Sequence, residues 1–186
     1  MLFGNPADFA IEAYHEPSGS SWTGFGRMCI YAKKIRLGHI DENHCSLFHA
    51  ADRLREAVNE IKILWDESFN GLSDKETFDF LDRVLYLNSE RSPESIQADW
   101  ERFGRFNFLT NTGEQFDDSK TFIACRNGLV HVFYQLRNNK FGSVSFSVKS
   151  FHDAIEPFLY WFDTQVVTIA PPFFPIEQSP KQDCND

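Results

Sequence analysis

Long uninterrupted apolar runs are absent from this chain, so nothing in it approaches the roughly 20 residues that a membrane-spanning helix needs. The opening, Met1 to Tyr14, also lacks the pattern of a secretory signal. Its first basic residue is Arg27, and Gly4, Asn5, Pro6 and Asp8 interrupt the apolar stretch early. The four cysteines, Cys29, Cys45, Cys125 and Cys184, contain no Cys-x-x-Cys pair and suggest no disulfide framework. Free thiols in a reducing, cytoplasmic compartment are therefore expected. Catalytic signatures are missing too. There is no Gly-x-Ser-x-Gly elbow and no Walker lysine, and Gly24-Phe25-Gly26 lacks the third glycine and the following helix of a dinucleotide fingerprint. These glycines are read as serving a bulge or a strand entry. Lys and Arg number 18 against 27 Asp and Glu, without the basic clusters that phosphate contacts require, which argues against nucleic acid as a partner.

What the chain has in quantity is phenylalanine and acid. Of 186 residues 20 are Phe, and hydrophobic residues make up 42%, enough for a sizeable core. Phe carries no polar tip, so this many rings need a core or a partner to cover them. The net charge of −9 is unevenly placed: residues 41–120 hold nine basic and eighteen acidic groups and carry the whole excess. Such a surface repels nucleic acid and anionic membrane and attracts a cationic partner. The length suits one domain, read as residues 1–170, followed by a Pro-rich extended or disordered tail over 171–186.

The periodicity changes twice along the chain. Gly4-Asn5-Pro6 predicts a tight turn, and Phe9, Ile11 and Ala13 then alternate with Ala10, Glu12 and Tyr14 as in a half-buried strand. A second strand is expected over Gly26–Lys34 and a short return strand over Ile35–Leu37, giving an N-terminal antiparallel meander. From Ser46 to Trp65 the apolar residues fall on one helical stripe, with Asp52, Glu56 and Glu60 spaced four apart on the opposite face. Like charges at that spacing repel by a few tenths of a kcal/mol, so stability alone does not favour them. A second helix is predicted over Asp74–Leu87, with Ser73 and Glu76 forming a capping box. A third begins at Ser92 with Pro93 in its first turn. The period then returns to two. Strands are expected at Arg105–Thr110, Thr121–Cys125, Leu129–Leu136 and Ser143–Val148, the second and third joined by an Asn127-Gly128 hairpin turn. A last helix, capped by Ser150 and bent at Pro157, carries an aromatic stripe that should pack on the sheet. The fold class is thus α+β: an antiparallel sheet of N-terminal strands plus a C-terminal four-strand meander, packed with amphipathic helices.

The candidates for chemistry are sparse. His39, His44, Cys45 and His49 lie close in sequence to Asp41 and Glu42, but no second ligand pair follows, and helix-entry histidines are the better reading than a metal site. Asp117-Asp118 and Asp52/Glu56 are paired carboxylates in a chain where acids abound. No cofactor is indicated. The strongest binding feature is the acidic helical middle, with Glu56, Glu60, Glu76, Asp79 and Asp82 as the candidate partner-binding residues. A face of that kind speeds encounter with a basic partner and sets specificity.

Met1-Leu-Phe-Gly-Asn-Pro-x-x-Phe-Ala-Ile11 resembles the start of the immunity protein 42 family of bacterial polymorphic toxin systems. Such proteins open with Phe-Gly-Asp/Asn-Pro followed by Phe-Ala-Ile, and continue into an aromatic-rich strand with glycine, as in Trp22-x-Gly24-x-Gly26 through Ile30. Asn5 stands where Asp is also common. The resemblance covers about the first thirty residues closely and the rest in architecture. It implies a non-enzymatic, cytoplasmic protein that binds and neutralises a cognate toxin domain. A basic nuclease-type toxin would give the acidic centre a purpose. Two alternatives stand beside it: a regulatory or structural binding module, homodimeric through Phe-rich surface, and an enzyme of unrecognised type.

Overall fold

The computed structural model describes residues 1–16, 24–41, 45–87 and 91–167. The proposed tail over 171–186, together with His44, Glu42, Trp22 and Cys184, lies outside the described residues.

Two antiparallel sheets share one amphipathic helix. The first sheet is built from β1 (Leu2–Asn5), β2 (Phe9–His15), β3 (Phe25–Ala32) and β4 (Ile35–Leu37), in that order, with β5 (Cys45–Ser46) also paired to β3. The second is the meander β6 (Ser119–Arg126), β7 (Leu129–Leu136) and β8 (Phe141–Ser147). The helices are α1 (Phe48–Glu60), α2 (Asp74–Tyr86), α3 (Pro93–Phe103) and α4 (Val148–Trp161). Helix α4 packs against β1 and β2 of the first sheet and β7 and β8 of the second. The sheets also meet directly, through Phe9 of β2 stacked on Phe146 of β8 with ring centroids 4.7 Å apart.

The Gly4-Asn5-Pro6 motif is structural. It leads β1 into the β1–β2 turn, where Phe3 pairs with Ile11 and Asn5 with Phe9. Gly4 has φ +86°, and a Cβ there would stand 2.6 Å from Ala154 Cβ of α4. Glycine is therefore what lets the first strand lie against the last helix. Gly24 and Gly26 serve close approach as well. A Cβ on Gly24 would overlap the Phe48 ring, and one on Gly26 would meet the Tyr14 carbonyl at 2.1 Å.

Local signals were followed closely in the helical middle. Ser73 and Glu76 form the capping box of α2, and Ser92 caps α3 with Pro93 in its first turn. Asn127 and Gly128 both take positive φ, as the two-residue hairpin turn requires. Three expectations need correction. The first helix ends at Glu60, and the chain continues as a 3-10 turn over Ile61–Ile63. The C-terminal meander has three strands, not four: Gly104–Phe106 is a 3-10 turn, and Asn107 makes one isolated bridge to Phe122. Phe106, Phe108 and Leu109 are all fully buried, so the alternation there does not mark two faces of a strand. Helix α4 starts earlier than Ser150, because Ser147 is its cap and accepts from the Ser150 N–H. The Ser150 hydroxyl donates instead to Asp8, which also binds Lys33 and so ties the β1–β2 turn to α4.

Most of the described phenylalanines fill the core. Among the described residues Phe48 alone is an exposed phenylalanine, and its ring rests edge-on against Phe162. They present no Phe-rich patch of the kind the homodimer alternative called for.

Candidate functional site

The five acids named from the sequence end up on two helices that pack in different places. Helix α1 lies against α4, whereas α2 lies against α3, β7 and β8. Four of the five already have an intramolecular partner. Glu76 closes the capping box, and its hydrogen bonds from Ser73 hold its carboxyl below the usual range. Asp79 pairs with Lys75 one turn earlier at 2.5 Å. Asp82 is half-buried and bound to Lys120 of β6. Glu56 accepts from Arg53 at 2.6 Å but stays 65% exposed at its side chain. Glu60 is exposed in the last turn of α1, which holds no basic residue. The helix dipole disfavours an acid there, so stability does not account for it.

A groove opens beside Glu56 of α1. It consists of three depressions in series, of about 300, 460 and 300 Å³, the first two meeting at the turn Leu109–Thr112. The first lies between α1, α3 and that turn and is lined by His49, Arg53, Glu56, Tyr86, Trp100 and Asn107, among others. The second shares Thr110 and Asn111 with it and reaches Asp117, Asp118 and the β7–β8 hairpin. The third shares Asp118 and Arg137 with the second and extends to Arg36 and His39.

The groove walls are fixed by hydrogen bonds that cross elements. Arg53 Nε donates to the Asn107 carbonyl at 2.5 Å, and Nη2 donates to those of Arg105 and Gly104 at 2.5 and 3.3 Å. The segment after α3 is thereby fastened to α1. Buried Thr110 and Thr121 answer one another: the Thr121 N–H donates to Thr110 Oγ1 at 2.8 Å, and Thr110 Oγ1 donates to the Thr121 carbonyl at 3.2 Å. Asn111 sits at the turn with φ +62°, a conformation asparagine tolerates better than most residues. Asp118 joins β4's end to the meander, with His39 Nε2 at 2.7 Å and Arg137 Nη1 at 3.1 Å. Burial pushes the Tyr86 hydroxyl up to about 12, so it stays protonated at neutral pH.

The histidine and cysteine cluster read from the sequence disperses. His39 is held by Asp118, Cys45 is buried in β5, and His49 is exposed at the groove. Among the described residues no group of three His, Cys, Asp or Glu gathers as metal ligands would. Cys29, Cys45 and Cys125 are buried and form no disulfide among the described residues, and burial raises the Cys29 thiol to about 11. Among the described residues no helix is long and apolar enough to cross a membrane.

The groove residues Trp100, Tyr86, Arg53 and Asn107 carried no signal in the sequence. They come from three helices and a turn and meet only in the folded chain. The exposed Trp100, the one large apolar side chain turned outward on α3, is the one hint a helical wheel could have given.

Comparison with known proteins adds two findings. A family model described as immunity protein 42 matches residues 1–161. The solved structure of CdiI from Burkholderia dolosa AUO158 has a similar fold, with a TM-score of 0.58 and 16% identity over 86% of this chain and 99% of that one. No curated protein matches.

Proposed function

We propose that this chain, which belongs to the immunity protein 42 family, neutralises its cognate toxin domain by covering a basic surface of it with the acidic flank of α1, α2 and α3. Toxin neutralisation follows from the family; the basic character of the toxin and the flank that meets it are our reading. The protein acts by binding rather than by chemistry of its own, in the cytoplasm where the toxin would otherwise work. The observation that carries this reading is the charge placement: the acid excess of residues 41–120 is displayed outward by Glu56, Glu60, Asp79, Glu94 and Glu101. A field of one sign raises the rate of encounter with the opposite sign, and salt weakens it. The fold of CdiI supports the architecture alone.

The test is kinetic. The toxin domain encoded beside this gene is immobilised, and association is measured at low and at high ionic strength. Glu60→Lys with Asp79→Lys should slow association about tenfold at low salt and much less at high salt, leaving dissociation nearly unchanged. Asp82 is left alone, because reversing it would set two cations together at Lys120. An on-rate insensitive to both salt and reversal would remove the acidic flank from the interface.

A further inference from the structure

We propose that the depression between α1, α3 and the Leu109–Thr112 turn receives one lysine or arginine side chain of the toxin, with Trp100, braced by Tyr86, as its aromatic wall and Glu56 as its counter-charge. This rests on the reading above that the partner is a protein with a basic surface. The depression, of about 300 Å³, is open to solvent and has room for one long side chain. Trp100 keeps 37% of its surface exposed. Its ring meets that of Tyr86 edge to face, centroids 5.9 Å apart at 79°; Lys120 Nζ already stands 4.7 Å from the Tyr86 centroid, so the free aromatic surface at the opening is that of Trp100. Cations bind aromatic faces, Trp best of all.

A polar group in the same lining points the same way. Asn107 Oδ1 is buried without a hydrogen-bond partner. Native proteins rarely leave such groups unmatched. Lysine brings three donors and arginine five, and neither brings an acceptor. Arg53 does not take the intended place, because its Nε and Nη2 are turned inward onto backbone carbonyls. Its Nη1 steadies the Glu56 carboxylate at the rim. The site is thus built in advance, which lowers the ordering cost of binding. Residues 66–101, which supply Tyr86 and Trp100, hold ten acids against Lys75, Arg83 and Arg91, so the surrounding field favours a cation. Aromatic anchors in a rigid pocket within a charged rim are where interface energy concentrates.

Binding of the neighbouring gene's toxin domain is measured by calorimetry for the wild type, Glu56→Gln, Trp100→Phe and Trp100→Ala. Trp100→Ala should weaken binding about thirtyfold or more, as hot-spot truncations do. Glu56→Gln, which changes an exposed side chain and leaves the fold intact, should weaken it about tenfold through lost charge. Trp100→Phe keeps a ring against Tyr86 and should fall between wild type and Trp100→Ala. Affinities within about twofold of wild type for all three variants would overturn the pocket while leaving the proposed function standing. If the wild type itself fails to bind that toxin, the proposed function fails instead, and the pocket is then judged by titrating acetyl-arginine amide against the Trp100 indole N–H resonance. A saturable shift lost in Glu56→Gln supports the pocket, and no shift overturns it.

Discussion

Arg53 fastens the segment after α3 to α1, and its removal should be costly. Its side chain is 15% exposed, and its guanidinium donates to the carbonyls of Asn107, Arg105 and Gly104. The Gly104 carbonyl also accepts from the Asn107 N–H, so it keeps a partner without arginine. The Arg105 and Asn107 carbonyls lose theirs. A buried acceptor left unmatched costs about 1–3 kcal/mol, and limited water access lowers that here, so Arg53→Ala should destabilise by about 3 kcal/mol. For a chain of this length, about 2–4 °C per kcal/mol gives a melting temperature lower by roughly 6–12 °C. Two variants separate the inward bonds from the outward pair. Arg53→Lys keeps the charge but has no planar fork, and should recover about a third of the loss. Glu56→Ala removes only the exposed ion pair and should cost under about 1 kcal/mol. Calorimetric melts of the three variants decide the matter. If Arg53→Ala melts within about 2 °C of wild type, or Glu56→Ala costs as much as Arg53→Ala, the assignment of Arg53 as the tie between α1 and the post-α3 segment is wrong.

Gly4→Ala should destabilise by about 2–4 kcal/mol, combining a positive-φ penalty with overpacking against Ala154, whereas Gly71→Ala, with positive φ but open space around it, should cost about 1 kcal/mol; urea titration of both would refute the packing argument if the two losses were equal. Asp66 accepts from Arg102 at 2.7 and 3.0 Å and from the Ser68 N–H at 2.9 Å, and the Arg102 bonds are the main reason its carboxyl is held down at about 2. Its folded value lies below its unfolded one, so its stabilisation is complete above about pH 4 and is lost as pH falls toward 2. The stability difference between wild type and Asp66→Asn should therefore shrink over that window, and a constant difference would count against the assignment.

The parts of the fold that could be read in advance were those decided within a few residues. Ser73 with Glu76, Ser92 with Pro93, and Asn127 with Gly128 each carry their own partner or backbone preference. The misreadings arise where distant residues decide. Arg105–Thr110 alternates like a strand, but Arg53 captures its early carbonyls and the core buries both apparent faces. Ser150 was read as the cap of the last helix, but Ser147 takes that place and the Ser150 hydroxyl engages Asp8, far away in sequence. The five acids were correctly placed on helices, yet which of them were already committed to Ser73, Lys75 or Lys120 depended partly on how α2 meets β6. The groove was not legible, because its residues span positions 36 to 139 without a shared period.

The seam between β1 and α4 also sets when protection begins. Phe3 finds Phe158 and Trp161, and Phe9 finds Phe151, across about 150 residues of chain. Contacts so far apart in sequence form late, and during synthesis they must wait for the last helix to leave the ribosome. A nascent chain that has not reached residue 148 leaves the inner side of its first hairpin uncovered. Immunity of this design is not available piecemeal. A cell relying on it needs a standing stock of finished molecules before the toxin arrives, because new synthesis answers only after the final turn of α4 has closed.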